Sequence, residues 1–306
     1  MLRKKQKKEI TLSIVTPAYN EAQNLPLLYQ RLKKTLDPMR LSWEWIVVDD
    51  HSADTTFQTV ESIARRDERV ACLRFTKNSG SHLALACALR AARGLSAVGL
   101  AADLQDPPEL IGELLKRWRK GAKIVWAARA KREGESLSTL FFARFYYFIV
   151  RYGVGLRQVP PTGADFFLLD RVVLEALRKA QVKNASILLL ICSLGFKEDF
   201  ITYTKRERAH GKSGWSLRKK IKLFIDSVTM FSKAPIWWLT GVGLTFFLAG
   251  LTCIYENFDW NGCPISPSLI LILSGLLALL GGFLLWLRGM SPTEPAYRIE
   301  KTTQPC

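Results

Sequence analysis

The chain has 306 residues, 48% of them hydrophobic, with a formal net charge of +17, six cysteines and three histidines. That length can bury one large core and still carry an appendage. Cys72, Cys87, Cys192, Cys253, Cys263 and Cys306 show no paired spacing and the histidines form no metal set, which excludes a disulfide scaffold and a zinc module and leaves reduced, structural thiols.

Strand and helix patterns alternate along the first two thirds of the chain. "TLSIVTPAY" (11–19) reads as a buried strand halted at Pro17, and the following helical pattern places Leu25, Leu28, Leu32 and Leu36 on one stripe. "WEWIVVDD" (43–50) predicts a second strand stopped by two aspartates, then a helix over 52–66 capped by Ser52 or Asp54. "VACLRFTK" (70–77) predicts a third strand, 81–94 a helix closed by Gly94, "AVGLAADL" (97–104) a fourth strand, and 108–121 a helix with Pro108 at its start and Gly121 at its end. Such alternation predicts a mostly parallel sheet covered by helices on both faces.

Two later runs, 234–255 and 266–287, carry no charge. Each is about 20 residues long, enough for a helix to span roughly 30 Å of hydrocarbon, so both are expected to be transmembrane helices. Their connection, "ENFDWNGCPI", holds only acidic charges, whereas Arg3, Lys4, Lys5, Lys7, Lys8, Arg218, Lys219, Lys220, Lys222 and Arg288 flank the runs. This asymmetry predicts both termini and the large domain in the cytoplasm, with a short hairpin on the far side. The same basic residues account for the net charge through anionic lipid, and without a separate basic, aromatic-interleaved domain a nucleic-acid partner is excluded. The lysine-rich start runs into a polar strand pattern instead of a long apolar core, so no signal peptide is expected. The predicted division is 1–215 catalytic domain, 216–233 juxtamembrane amphipathic helix, 234–288 two-helix hairpin and 289–306 cytoplasmic tail.

Ligands of open α/β sheets bind outside the carboxyl ends of the strands. Those ends carry the run 17–21, then Asp49 and Asp50, then Asp103, Gln105 and Asp106 in "ADLQDPPE". Carboxylates gathered at one edge repel one another unless a cation or a donor-rich ligand joins them. Mg2+ or Mn2+ carrying phosphate oxygens suits one or two carboxylates. Helix capping is the alternative reading for Asn20 and Asp54.

"VTPAYNEAQNL", "IVVDDHSADTT", "ADLQDPPELI", "TGADFFLLDR" and "RAHGKSGW", in this order, resemble the family-2 inverting glycosyltransferases of GT-A fold. More narrowly, "ADLQDPPE", the R-x-x-G-x-S pattern of 208–213 and a terminal apolar pair resemble polyisoprenyl-phosphate glycosyltransferases, the bactoprenol glucosyltransferases and dolichol-phosphate mannose synthases. The resemblance covers nearly the whole chain. It implies a Rossmann-like, mostly parallel cytoplasmic domain, with Pro17, Tyr19 and Glu21 lining a nucleotide pocket and Asp50, with or without Asp49, hydrogen-bonding the base. Asp103 and Gln105 would ligate the divalent ion on the donor diphosphate. The usual Asp-x-Asp-x-Gln pattern has lost its first aspartate to Ala101, which implies weaker metal binding or greater dependence on the diphosphate, or an impaired enzyme that serves as a nucleotide-binding membrane adaptor.

The acceptor side is written in basic and amphipathic sequence. The stretch 136–153 is apolar with Arg144 and Arg151 as its only charges and suits an interfacial helix, a buried core helix being the alternative; 216–232 sets Leu217, Ile221, Phe224, Ile225 and Val228 against lysines. Arg206, Arg208, Lys212 and Ser213 offer groups for phosphate. By the resemblance, Asp165 stands beside the acceptor, orienting sugar or phosphate or taking a proton; Asp170 pairs with Arg171 or caps the next helix. The implied reaction is inverting transfer of a hexose, glucose from UDP-glucose, to undecaprenyl phosphate, with GDP-mannose as the alternative donor. Asp103, Asp165 and Arg208 would act at the reacting centre. A processive polysaccharide synthase would need more spans and a Gln-x-x-Arg-Trp motif, and the chain has neither. The partners implied are the nucleotide sugar, a polyprenyl phosphate and anionic lipids, with homo-oligomerisation left open.

Overall fold

The computed structural model describes residues 9–129, 166–180, 186–204, 234–256, 266–290 and 297–303. The predicted segments at 136–153 and 216–233 lie outside them. Among the described residues, eight strands form one sheet: β1 (Leu12–Ala18), β2 (Trp43–Asp49), β3 (Val70–Phe75), β4 (Ser96–Gly99), β5 (Ile124–Arg129), β6 (Phe166–Asp170), β7 (Glu198–Tyr203) and β8 (Ile299–Thr302). The order is β7-β5-β6-β4-β1-β2-β3-β8. β1 pairs in parallel with β2 and β4, β2 with β3, and β5 with β7; β6 runs antiparallel to β4 and β5, and β8 antiparallel to β3.

Strands buried on both faces read as continuous apolar runs because alternate side chains serve opposite cores. Leu12, Ile14, Trp45 and Val47 join one cluster, with α1 (Asn24–Leu36), α2 (Thr56–Ala64) and α4 (Ile111–Arg119). Val15, Ile46 and Val48 join the other, with α3 (Ser81–Ala91), α5 (Arg171–Lys179) and α6 (Ile187–Ser193). The stripe Leu25, Leu28, Leu32 and Leu36 is fully buried, as its spacing predicts. Asp170 caps α5 by accepting the Val172 N–H at 3.0 Å. Its second oxygen accepts Trp118 Nε1 at 2.7 Å and pairs with Lys123 at 3.1 Å, so the expected partner Arg171 is replaced by Lys123. Burial opposes ionisation there, yet these donors outweigh it and hold the Asp170 carboxyl below its ordinary range.

Three findings depart from the sequence reading. β4 spans 96–99, not 97–104: past Gly99 the chain leaves the sheet, and Leu104 takes a left-handed φ of 61°. α2 begins at Thr56, and neither Ser52 nor Asp54 is its N-cap, although Asp54 Oδ1 accepts the Thr56 N–H at 3.0 Å. The sheet is not confined to residues 1–215, because 299–302 form its edge strand.

Two helices, α7 (Ala234–Glu256, 23 residues) and α8 (Ser266–Met290, 25 residues), occupy the places of the expected spans and pack on each other. Their crossing is close enough that a Cβ on Gly275 would lie 2.6 Å from the Phe247 nitrogen, and one on Gly243 2.9 Å from the Gly275 oxygen. Outward they present Trp237, Trp238 and Leu277, which are 71%, 75% and 69% exposed. By the side chains described, 236–252 in α7 and 271–284 with Trp286 in α8, no helix is long and apolar enough to cross a membrane, although the helical backbones extend further. The expectation of two transmembrane helices is therefore met as two helices and not as two demonstrated spans.

Candidate functional site

The carboxyl ends of β4, β1 and β2 lie side by side in the sheet, and the loops that leave them carry the predicted residues. Asp50 follows β2, its N–H bonded to the Ala18 carbonyl at 2.9 Å. Its buried carboxylate accepts the N–H of Ser79 at 2.6 Å and of Gly80 at 2.8 Å, one on each oxygen. Gly80 adopts φ 96°, a conformation that side chains oppose. Two backbone donors on one carboxylate fix its direction.

Asp49 is fully buried and serves the loop itself. Oδ1 accepts the Ser52 N–H at 2.9 Å and Oδ2 takes Arg74 Nη1 at 2.8 Å. Of the two aspartates, the structure therefore ties Asp49 to Arg74, and holds Asp50 at the loop's end. The loop after β1 is sewn to the loop after β2 by four bonds. Asn20 N–H reaches Ser52 Oγ at 2.9 Å, Ala53 N–H reaches Asn20 Oδ1 at 2.9 Å, Glu21 N–H reaches Thr56 Oγ1 at 2.9 Å, and Ala22 N–H reaches Asp54 Oδ2 at 3.3 Å. Asn20 sits at φ 56°, tolerable for an Asn whose side chain bonds locally. Glu21 accepts Asn24 Nδ2 at 2.5 Å, Pro17 and Glu21 are half-buried, and Tyr19 stands 44% exposed.

Asp103 lies in the turn after β4, not at the strand's last residue. Its Oδ1 accepts the Gln105 N–H at 3.2 Å, a local bond that competes with strand pairing and bends the chain. Leu100 N–H still bonds the Val15 carbonyl at 3.0 Å, so the turn starts beside β1. Arg31 of α1 holds the far side: it grips Glu109 at 2.9 and 3.1 Å and donates to the Leu104 carbonyl at 3.4 Å. Tyr203 of β7 hydrogen-bonds Asp106 from within the core. Glu21, Asp49 and Asp50 thus share one hydrogen-bonded pair of loops, Pro17 and Tyr19 lie along the same chain segment as Glu21, and the Asp103 and Gln105 turn follows the neighbouring strand. Asp165, Arg206, Arg208, Lys212 and Ser213 lie outside the described residues.

Among the described residues, no group of three or more His, Cys, Asp or Glu side chains is gathered to hold a metal ion by itself. A buried carboxylate and an amide oxygen in one turn fit an ion that completes its shell with diphosphate oxygens and water, which is how Mg2+ and Mn2+ are commonly held beside phosphate.

The glycosyl transferase family 2 pattern ("Glycosyl transferase family 2") matches residues 13–178, more than half of the chain and all of the strand-end loops. The chain belongs to that family. It is 34% identical over 229 residues to the uncharacterized glycosyltransferase YkcC of Bacillus subtilis (strain 168), covering 75% of this chain and 71% of the relative. It is 28% identical over 244 residues to the bactoprenol glucosyl transferase of Shigella phage SfV, covering 80% and 78%. Among solved structures, S. aureus TarS 1-349 in complex with UDP-GlcNAc aligns with a TM-score of 0.50 at 18% identity, covering 72% of this chain and 66% of that one, just under two thirds of its length. That likeness concerns the fold, a GT-A-like mixed α/β sheet. This family-2 chain is a glycosyltransferase.

The motif-based reading missed Arg74, Ser79, Gly80, Arg31 and Tyr203, which hold the site in shape, and read Ser52, which bonds the Asn20 N–H, as a helix cap. Only Arg74 left a signal, as an arginine interrupting the apolar strand "VACLRF"; in register it faces Asp49. The others act through backbone groups or across long sequence gaps and carry no local pattern.

Proposed function

We propose that this glycosyltransferase is a membrane protein that moves a hexose from a nucleotide sugar to a polyprenyl phosphate with inversion, the donor being UDP-glucose and the acceptor undecaprenyl phosphate. The observation that carries the proposal is the Asp50 carboxylate, aimed by the Ser79 and Gly80 N–H groups at the carboxyl edge beside the Asp103 turn, in a chain that shares 80% of its length with a bactoprenol glucosyl transferase. Asp50 accepts from the base, Tyr19 covers the nucleotide, and Asp103 with Gln105 would hold Mg2+ or Mn2+. Bound there, the ion would supply positive charge against the diphosphate leaving group.

The acceptor phosphate, with a second pKa of about 6, is largely ionised at neutral pH and needs no strong base. Its oxygen donates a lone pair to the anomeric carbon as the bond from that carbon to the diphosphate oxygen breaks on the opposite face, which inverts the centre. Arg206, Arg208, Lys212 and Ser213 neutralise and orient phosphate, and Asp165 orients the acceptor or the sugar.

We place the chain in the plasma (inner) membrane with its catalytic domain and termini cytoplasmic and its basic flanks on anionic lipid. The exposed Trp237, Trp238 and Leu277 and the close glycine crossing support a hairpin in lipid, where small residues let helix backbones approach. At 1.5 Å per residue, helices of 23 and 25 residues reach about 35 Å, past the roughly 30 Å hydrocarbon core.

The test is transfer of labelled sugar from UDP-glucose, with GDP-mannose in parallel, to undecaprenyl phosphate by the purified full-length protein, with Mg2+, Mn2+ or EDTA. A lipid-extractable, metal-dependent product that disappears in Asp103→Ala is the expected result. Nucleotide binding without product from either donor would instead make Ala101 the mark of a lost activity and the chain a nucleotide-binding adaptor.

A further inference from the structure

The edge strand β8 comes from the far end of the chain and lands beside the nucleotide loops. It pairs with β3, and its flanks add bonds of their own: Cys72 N–H donates to Thr303 Oγ1 at 2.8 Å, Thr303 N–H to the Cys72 carbonyl at 3.0 Å, and Thr76 N–H to the Arg298 carbonyl at 3.0 Å. Tyr297 stacks on Phe75 with ring centres 4.8 Å apart. From this strand Glu300 reaches Arg74 Nε at 3.4 Å and lies 3.9 Å from His51 Nδ1.

Arg74 is the hub of the loop it faces. Its guanidinium pairs with Asp49 at 2.8 Å and donates to the Ser52 carbonyl at 3.1 Å, and Ser52 in turn accepts the Asn20 N–H at 2.9 Å. One arginine therefore connects a carboxylate on the tail to both loops of the nucleotide patch. His51, at φ 60° between Asp50 and Ser52, is bracketed by the Phe75 carbonyl at 3.2 Å and Glu300. An exposed ion pair alone is weak. Here it is set by a strand whose backbone bonds and aromatic stack are independent of it.

The other end of that strand is tied to α8. Only six residues, 291–296, separate Met290 from Tyr297, so seven peptide steps bridge them. Extended chain covers about 3.3–3.6 Å per residue, which keeps the β3 edge within about 25 Å of the end of α8.

We propose that the tail segment 297–303 is a strap joining the helical hairpin to the nucleotide loops, and that Glu300 is a positioning residue acting on Asp50 through Arg74 and the loop 49–52. The nucleotide role of those loops rests on the function proposed above; the mechanical coupling does not. The experiment uses the full-length protein in detergent with Glu300→Ala, Glu300→Asp and a chain ending at residue 296. Amide hydrogen exchange without nucleotide is followed at Ser52, Ser79 and Gly80, and at Trp126 on the far side of the sheet as reference. Glu300→Ala is expected to speed exchange several-fold at the first three and leave Trp126 unchanged, with Glu300→Asp restoring part of the protection. In parallel, the UDP-glucose KM should rise several-fold in Glu300→Ala with kcat within about twofold, a split that general destabilisation would not give.

Unchanged exchange at Ser52, Ser79 and Gly80 in Glu300→Ala overturns the strap, whatever the shortened chain does. Faster exchange in a protein that binds no UDP upholds the coupling and removes the nucleotide reading of the loops. Faster exchange with an unaltered KM overturns the positioning role.

Discussion

Asp50 and Asp49 are adjacent, identical in type and almost equally buried, yet their donors differ. Asp49 meets a guanidinium and a backbone N–H that bind it into the loop, whereas Asp50 is aimed by two backbone N–H groups from the segment before α3. Asp50→Ala removes the acceptor for both and leaves two half-buried donors without it, a loss of about 1 kcal/mol per hydrogen bond. On the function proposed above, Asp50→Ala also removes the acceptor facing the base, and the UDP-glucose KM is expected to rise about tenfold, which corresponds to about 1.4 kcal/mol; initial rates over a donor series check it. Arg31 works at one remove. Its two-pronged grip on Glu109 and its bond to Leu104 hold a turn with a residue at positive φ. Arg31→Ala should lower kcat by roughly tenfold to a hundredfold, because small misplacement of groups around a reacting centre is costly. Single-turnover rates on protein of matched Tm distinguish this from unfolding.

Among elements, α1 shows how pattern becomes stability. Its four leucines, three or four residues apart, all point into one core and are fully excluded from solvent. Leu32→Ala should cost about 2–5 kcal/mol, measured by denaturant unfolding, since the void it leaves cannot be refilled by neighbours from a rigid sheet. β4 shows the opposite case. Its apolar run continues through Leu100, Ala102 and Leu104, but Asp103 captures the Gln105 N–H and Arg31 captures the Leu104 carbonyl, so the strand stops at Gly99. The burial of Ala102 and Leu104 outside the strand explains why hydrophobicity alone overextended it. In the helical pair, Gly275→Leu would drive its side chain into the Phe247 backbone, and the full-length protein in detergent should lose thermal stability at the helical pair while the α/β sheet keeps its own transition.

The whole molecule ties its distant parts with ion pairs at the surface. Asp67 sits between Arg69, at 2.7 Å, and the Tyr29 hydroxyl, at 2.7 Å, and Arg69 continues to Asp37 at 2.8 Å while lying 4.1 Å from the Trp43 ring centre. The Arg69 hydrogen bonds push the Asp67 carboxyl down to about 2, against burial. A depressed carboxyl stabilises the fold above its unfolded pKa, near 4, and that stabilisation disappears as pH falls toward 2. After allowance for solvent screening it amounts to about 1–2 kcal/mol. Asp67→Asn should therefore lower the unfolding free energy at pH 7 and flatten its decline between pH 4 and 2, which denaturant titrations at each pH would read.

Sequence alone determined what local pattern can determine. The leucine stripe of α1, the doubly buried runs of β1 and β2, the two helices built on the uncharged runs 234–255 and 266–287, and the acidic residues of the loops past the strands were all legible, because each follows from spacing within about twenty residues and from where apolar runs stop. Tertiary structure decided the rest. β6 enters antiparallel between β4 and β5, and β8 closes the β3 edge with a bond between residues 231 positions apart; no periodicity tells a strand which open edge it will meet. The division of labour between Asp49 and Asp50 was hidden for the same reason, since it was set by Arg74 on one neighbouring strand and by two amides in the segment leading into α3. A side chain's type fixes what it can bond, and only the folded chain supplies the partner.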